Sequence, residues 1–226
     1  MDEITFRNAI PDDIPFLVGI IIDAEKSGTD KLTYSTIFGL SEEEVQFYLA
    51  KMLAEDIKGC ELALSSFIVA EHNGIPVAAL STWIEGIDGI PSSVKKGNLI
   101  GYILPTICLK RAHKAGEVIQ ELSIEYIQNT IVIGAGTVSP EYRSQGLMRL
   151  MVDRQIDLLS ASAPNVTEAY VQIYGHNLPS IKCVEKLGFK KVFEKESTNP
   201  EILNYLPSNV KVFMKKDIIS NLISKQ

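Results

Sequence analysis

The sequence predicts one α/β domain, spanning residues 1–226, in which a sheet is flanked by helices. Strand-like and helix-like segments alternate along the chain, and no flexible linker, low-complexity tract or internal repeat divides them. The apolar content of 46% and the charged content of 22% are ordinary for a globular protein. A chain of this length buries well over half of its unfolded surface, so folding requires neither a metal nor a disulfide.

The N-terminal part of the chain predicts one strand and two helices. Residues 4–7 alternate between apolar and polar side chains, as a short strand does. Pro11-Asp12-Asp13 then begins a helix, because proline and acidic residues favour the first helical turn. Ser41 and Glu44 form a capping box, which predicts the start of a second helix.

A β-hairpin and a less regular segment follow. Asn73-Gly74 separates two apolar runs and supplies the positive φ of a type I′ turn, which predicts strands at residues 67–70 and 76–80. Residues 86–128 contain scattered glycines and prolines and predict a helix only over residues 110–126. We interpret residues 86–128 as an insertion in the domain.

The second half of the chain predicts four strands and two helices. The strands span residues 130–137, 167–173, 190–195 and 210–215, and the helices span residues 147–159 and 177–187. Gly188 is a natural residue just beyond a helix end. Gly134 and Gly136 indicate a bulge or a close approach of another group, although they could equally relieve packing against a large side chain.

The turn between the strand at residues 130–137 and the helix at residues 147–159 predicts an anion-binding site. The first turn of a helix has N–H groups without intrahelical partners, and the helix dipole adds partial positive charge there. Gly146 lets a phosphate approach the backbone, and Arg143 places a fixed positive charge nearby.

This turn resembles the acyl-CoA pyrophosphate loop of the GCN5-related N-acetyltransferases (GNAT), whose core pattern is Arg/Gln-x-x-Gly-x-Gly/Ala. Here the pattern is Arg143-Ser144-Gln145-Gly146-Leu147-Met148, with Met148 in place of a small residue. A later segment, Asn177-Leu178-Pro179-Ser180 followed by Gly188-Phe189, is similar to the distal segment of the same family. The resemblance covers roughly residues 2–85 and 130–216 and leaves out the insertion.

The resemblance implies the acyl-CoA N-acyltransferase fold, a single mixed and mostly antiparallel sheet of about six or seven strands flanked by helices, with a helical insertion before the pyrophosphate strand. It implies transfer of an acetyl group from acetyl-CoA to an amine of a small molecule or peptide by direct attack, without a covalent acyl-enzyme or a metal. Cofactor contacts are then expected from Val138, Arg143, Ser144, Gln145, Gly146, Leu147, Met148 and Asn177. Asn177 equally suits a helix N-cap.

The sequence lacks the usual residue for donating a proton to the CoA thiolate. Where the family often has a catalytic Tyr, this chain has Val184, which cannot donate a proton. Tyr174 and His176 are the nearest replacements, and a His near neutral pKa can accept the proton of an amine. Both residues also suit simpler structural roles at a strand end and on the surface. A CoA thiol with a pKa of roughly 8.5 leaves fairly well unaided.

Two alternatives to an amine acetyltransferase therefore stay open. One is a catalytically silent acyl-CoA-binding module, and the other is an acyltransferase that uses another acyl-CoA or a hydroxyl acceptor. In the insertion, basic residues form either a pocket for an acidic acceptor or a solvated helix face: Lys95, Lys96, Lys110, Arg111, His113 and Lys114. We expect the insertion to form a wall of the acceptor site.

The charge and the cysteine content indicate which binding partners and which cellular compartment to expect. A net charge of −6 argues against a nucleic-acid binder. Three scattered cysteines, without a CxxC pair, indicate reduced thiols rather than disulfides or zinc. The acidic N-terminus is unlike a signal peptide, and the apolar run at residues 14–22 is too short to span a bilayer. We expect a cytoplasmic protein without a membrane partner, and a homodimer stays open.

Overall fold

A computed structural model describes residues 4–218, which form a seven-stranded sheet with helices on both faces. The strands are β1 (Ile4–Asn8), β2 (Phe67–His72), β3 (Ile75–Ile84), β4 (Ile131–Val138), β5 (Glu168–Tyr174), β6 (Lys190–Glu196) and β7 (Val210–Asp217). The helices are α1 (Ile14–Lys26), α2 (Thr33–Phe38), α3 (Glu42–Glu55), α4 (Ser92–Ile103), α5 (Thr106–Ile119), α6 (Leu147–Ser162), α7 (Leu178–Lys186) and α8 (Ile202–Tyr205).

The strand order in the sheet is β1-β2-β3-β4-β5-β7-β6. Neighbouring strands are antiparallel except for β4 and β5, which are parallel. Helix α6 makes the crossover that a parallel pair requires. The predicted mixed, mostly antiparallel sheet is therefore confirmed.

Local sequence signals place several of these elements correctly. In the hairpin, Asn73 and Gly74 have φ values of 53° and 75°, as the type I′ turn requires. At the start of α3, the Ser41 Oγ accepts from the Glu44 N–H at 3.2 Å, and the Glu44 carboxylate accepts from the Ser41 N–H at 2.8 Å. The predicted capping box is thus confirmed.

Three helices lie where the sequence predicted none, and the shortest of them is α8, between the last two predicted strands. Helix α2 has only 6 residues, and α4 begins directly after Pro91 in the region predicted to be irregular. Helix α4 contains Gly97 and Gly101, and each lowers helix stability by about 1 kcal/mol relative to alanine. Helix propensity alone therefore does not predict this helix.

The predicted helix over residues 110–126 was wrong at both ends. Helix α5 begins at Thr106, directly after Pro105, and ends at Ile119. One 3₁₀ turn at Gln120–Leu122 follows, and residues 123–127 are not helical. This turn buries Leu122 completely against α8, so a contact distant in sequence ends the helix.

The apolar core has two large parts, one on each face of the sheet, and a small third cluster formed by Leu122, Ile202 and Leu206. Alternate residues of β4, β5 and β7 pack against α6 in one part, and α1, α3 and α4 pack against β2 and β3 in the other. Since side chains alternate along a strand, Tyr174 and its cross-strand neighbour Lys211 lie on the face opposite α6. Within residues 4–218, no helix is long and apolar enough to cross a membrane.

Candidate active site

The parallel strands β4 and β5 separate at one end of the sheet. They pair only at Ile131, Val132 and Ile133 of β4, opposite Ala169, Tyr170 and Val171 of β5. Both strands continue beyond this point, β4 to Val138 and β5 to Tyr174, without pairing to each other. Their facing N–H and C=O groups therefore line an open slot that can pair with an extended ligand.

A β-bulge in β4 lies at the start of the slot. Leu80 of β3 pairs with Gly136, whereas Thr82 pairs with Ile133, so β4 contains one extra residue. A Cβ on Gly134 would lie 2.4 Å from the Ser81 Oγ, and one on Gly136 would lie 2.6 Å from the Leu80 Cδ1. The predicted bulge is confirmed, and the alternative that these glycines relieve crowding holds as well.

The turn after β4 presents its backbone to open space. Ser144 and Gly146 have left-handed φ values of 63° and 80°, and α6 begins at Leu147. The N–H groups at the start of α6 have no intrahelical partner. A Cβ on Gly146 would meet no atom within 4 Å, so the space in front of this helix end is empty of protein. The turn has the shape of an anion cradle.

Side chains hold this turn against the sheet. The Arg143 Nε donates to the Val138 carbonyl at 2.9 Å, and the Gln145 Nε2 donates to the Glu141 carbonyl at 3.0 Å. The Met148 side chain reaches back to β4, with its Cε 3.4 Å from the position of a Cβ on Gly136. The predicted cofactor residues from Val138 to Met148 thus lie together at the end of β4.

The predicted residues at the end of β5 contact the C-terminus of α1. The Asn177 Oδ1 accepts from the Ser180 N–H at 3.2 Å, which caps α7, and its Nδ2 donates to the Ser27 Oγ at 2.9 Å. The His176 Nε2 lies 3.0 Å from the Ser27 carbonyl oxygen. Because a carbonyl only accepts, Nε2 carries the proton, and Nδ1 is the basic atom of a neutral His176.

Helix α7 supplies no side chain that can serve as an acid at the expected position. Val184 is partly buried and packs against the cluster under α6. Cys183, beside it, is exposed. Tyr174 instead stacks with His176, with the ring centroids 6.2 Å apart.

Comparison with known protein families shows the family to which the chain belongs. The model of the acetyltransferase (GNAT) family matches residues 36–189, which is more than half of the sequence.

The chain belongs to the GNAT acetyltransferase family.

Solved structures share the fold at low sequence identity. An N-acetyltransferase from Staphylococcus aureus Mu50 is 13% identical with a TM-score of 0.64, over 94% of this chain and 100% of that one. A polyamine N-acetyltransferase from Drosophila melanogaster, which forms N-acetylagmatine, is 14% identical with a TM-score of 0.56, over 96% and 100%. An acetyltransferase from Salmonella typhimurium, solved with its cofactor acetyl-CoA, is 14% identical with a TM-score of 0.53, over 97% and 96%. No curated protein matches the chain.

This GNAT chain also contains a polar cluster that the sequence did not predict. We use this name for five residues, which come from five separate parts of the chain: Glu25, Tyr34, Glu61, Lys96 and Lys211. The Lys96 Nζ forms an ion pair with Glu61 and lies 5.6 Å from the centroid of the Tyr34 ring. The Lys211 Nζ lies 5.4 Å from the centroid of the Tyr174 ring. The cluster therefore lies beside the open end of the slot.

No local signal marks this cluster, because α1, α2, α4, β7 and the loop before β2 each contribute one residue. Of the basic residues considered in the insertion, only Lys96 belongs to it. Lys95 pairs with Asp88 at 3.0 Å. The other four are exposed on α5 as a solvated face: Lys110, Arg111, His113 and Lys114.

The surroundings shift the pKa values of the cluster and of Tyr174. Burial, with a smaller contribution from the charge of Glu25, raises the pKa of the Tyr174 hydroxyl well above its usual range. Burial lowers the pKa of Lys211. Burial also opposes the charge of Lys96, but the nearby Glu61 and Tyr34 outweigh this effect and raise its pKa. Near neutral pH, Tyr174 keeps its proton and can donate it.

Proposed function

We propose that this GNAT protein transfers the acetyl group of acetyl-CoA to an amine of a small molecule. The single observation that carries the proposal is the continuity of the slot between β4 and β5 with the glycine turn at the N-terminus of α6. Such a surface suits a ligand with an extended amide arm at one end and a pyrophosphate at the other.

In this proposal, the N–H groups of Gly146, Leu147 and Met148 bind the pyrophosphate, and Arg143 adds positive charge at the edge of the turn. The slot binds the pantetheine arm, with the backbone at Val138 near the thioester. Asn177 lies at the mouth of the slot, where its hydrogen bonds with Ser180 and Ser27 leave one amide hydrogen for the cofactor.

The chemistry proposed is direct attack of the amine on the thioester carbonyl. The new N–C bond forms as the C–S bond breaks, the amine loses one proton, and the thiolate of CoA gains one. Tyr174 suits the donor role because its hydroxyl lies at the end of β5 beside the slot and is protonated near neutral pH, although the raised pKa makes it a weaker acid, so that it donates a hydrogen bond to the departing thiolate. His176 suits the acceptor role through Nδ1, because its Nε2–H is held by the Ser27 carbonyl. Val184 favoured a silent module because it cannot donate a proton, and in this proposal Tyr174 and His176 carry out the proton transfers instead.

We also propose that residues 86–128 form a wall of the acceptor site within a single domain. The support is Lys96, which α4 places beside Tyr34 and Glu61 at the open end of the slot. A cytoplasmic location is proposed from the cysteines, since Cys60, Cys108 and Cys183 are all free thiols.

Thermal unfolding in the presence of CoA or acetyl-CoA tests the cofactor proposal. A ligand at about 100 times its Kd stabilises the native state by about 2.7 kcal/mol, so the melting temperature should rise by several degrees. Arg143→Ala should weaken this shift. Arg149→Ala is the matched control, because Arg149 follows Arg143 closely in the sequence, at the start of α6, but forms an exposed pair with Asp153. No shift at millimolar ligand would rule the proposal out.

Turnover then separates an enzyme from a binding module. Release of the CoA thiol in the presence of an amine panel reports N-acetylation, and parallel panels of alcohols and of longer acyl-CoA donors report the two alternative reactions. Binding of acetyl-CoA without transfer to any acceptor would favour the silent module.

A further inference from the structure

In the polar cluster beside the slot, two charged groups of the described chain form no ion pair within 4 Å. Lys96 and Glu61 neutralise each other in an ion pair. Among residues 4–218, no carboxylate lies within 4 Å of the Lys211 Nζ and no cationic group lies within 4 Å of the Glu25 carboxylate. Lys211 is nevertheless partly buried, and its pKa is lowered by that burial. The charge of Glu25 raises the pKa of Lys211 against this burial, so the two groups attract each other across a gap without forming an ion pair within 4 Å.

Two buried hydroxyls of the described chain at the same place also lack a hydrogen bond of good geometry. Thr33 and Tyr34, the first residues of α2, are 8% and 5% exposed. Within the described residues, neither the Thr33 Oγ1 nor the Tyr34 hydroxyl makes a hydrogen bond of good geometry, although Tyr34 lies beside Lys96 and Thr33 beside the Tyr174 hydroxyl. A buried polar group left without a hydrogen bond is unfavourable, so a ligand that supplies acceptor oxygens there would gain affinity.

The segment between β6 and β7 closes this side of the molecule. The Thr36 Oγ1 of α2 donates to the Tyr205 carbonyl at 2.6 Å. From the other end of the segment, the Ser197 Oγ and the Asn199 Nδ2 donate to the Glu121 carboxylate at 2.6 and 3.1 Å. The segment therefore bridges α2 and the insertion over the buried side chains of Leu122, Ile202 and Leu206. The segment between β6 and β7 therefore lies against α2, the helix that carries Thr33 and Tyr34.

Taken with the proposed function, on which this step rests, the geometry points to a small zwitterionic acceptor, an amine that also bears a carboxylate. Lys211 binds the carboxylate, the hydroxyls of Thr33 and Tyr34 donate to its oxygens, and Glu25 holds the ammonium group until it loses its proton. Amino acids are the chemical class that this arrangement fits.

Other classes of acceptor match the charges less well. A simple monoamine leaves Lys211 without a counter-charge, and a polyamine places additional positive charge beside Lys211 and Lys96. An acid without an amine leaves Glu25 uncompensated and offers no nucleophile. A zwitterion that lies between Glu25 and Lys211 places an opposite charge against each of them at once.

The test uses matched sets of acceptors with the full-length protein and acetyl-CoA. The probes are the twenty common L-amino acids, each compared with its methyl ester and its decarboxylated amine, together with agmatine and a short peptide. For the best substrate, kcat/KM should exceed that of its ester at least about tenfold, as expected for the loss of one charge-assisted hydrogen bond. Preference for the esters or the decarboxylated amines would overturn the inference.

Variants at Lys211 make the test specific to the site. Lys211→Met should reduce the acid-to-ester ratio of kcat/KM to near one without changing the KM for acetyl-CoA, whereas Lys211→Arg should retain most of it. Lys190→Met, on the exposed edge strand, is the matched control. An unchanged ratio in a Lys211→Met protein that still binds acetyl-CoA would overturn the inference. A wild-type protein that binds no acetyl-CoA would instead overturn the proposed function.

Discussion

Replacing Gly146 by alanine should separate the proposed phosphate contact from the stability of the fold. Gly146 has a φ of +80°, and an added Cβ would meet no atom within 4 Å. The methyl group therefore causes no clash, and the cost to folding is the left-handed conformation alone, roughly 1–2 kcal/mol. The same methyl group fills the space in which the pyrophosphate is proposed to lie.

Gly146→Ala should weaken CoA binding by more than its loss of folding stability can explain. A phosphate pushed away from the start of α6 loses at least one hydrogen bond between a backbone N–H and a charged oxygen, worth about 1.5–3 kcal/mol. The Kd for CoA should therefore rise about 10- to 150-fold. The protein remains folded, so the loss is measurable directly by calorimetric titration.

Gly89→Ala is a closely matched control. Gly89 has a φ of +82°, and it too has no atom within 4 Å of an added Cβ, but it lies in the segment between β3 and α4. Urea unfolding should show similar losses of stability in both variants, and only Gly146→Ala should bind CoA more weakly. Equal CoA affinity in the two variants would refute the assignment of this turn as the phosphate site.

Two further predictions address the chemistry and the fold. Tyr174→Phe should lower kcat about 100-fold or more with little change in the KM for acetyl-CoA. Because burial raises the pKa of Tyr174, the wild-type pH–rate profile should show no loss of this proton up to about pH 10. An unchanged kcat in the variant would remove Tyr174 from the mechanism. Asp13 accepts from the Arg7 guanidinium at 2.5 and 2.9 Å and from the Ile10 N–H at 2.8 Å, and the Arg7 bond lowers its pKa. The stabilisation is therefore complete above the unfolded pKa of about 4 and is lost as the pH falls through the lower folded value. Asp13→Asn should cost about 1–3 kcal/mol at pH 7 and little at pH 2, as urea unfolding at the two pH values would show; a loss of the same size at both would contradict the ion pair.

The elements predicted correctly are those whose signals are local. A type I′ turn depends on Asn73 and Gly74 alone, and a capping box depends on Ser41 and Glu44 alone, so neighbouring residues suffice to identify them. The same holds for the turn around Gly146. Its left-handed residue, its helix start and its position after an apolar strand are all visible within a short stretch of sequence.

The parts that escaped prediction depend on residues far apart in the chain. Helix α2 is too short to show a periodic pattern, and it is held by contacts with α5 and α8. The end of α5 depends on the burial of Leu122 under a segment some 80 residues later. The polar cluster is the extreme case, because its five residues acquire a common environment only when the sheet and the insertion have packed together.

Met148 shows how such long-range packing changes the meaning of a motif. In the sequence, a bulky residue replaces a small one at the last position of the phosphate-loop pattern, which suggests crowding of the cofactor. In the structure, the Met148 Cε lies 3.4 Å from where a Cβ on Gly136 would be, so the side chain points back over β4 and away from the empty space in front of Gly146. The bulk of Met148 therefore rests on β4 at ordinary contact distance from Gly136. A Cβ at position 136 would instead clash with the Leu80 Cδ1, which lies 2.6 Å from its position. We therefore infer that Gly136 is coupled to Leu80, so a side chain at position 136 should be tolerated better when Leu80 is replaced by alanine, whereas replacing Met148 by alanine should bring little relief.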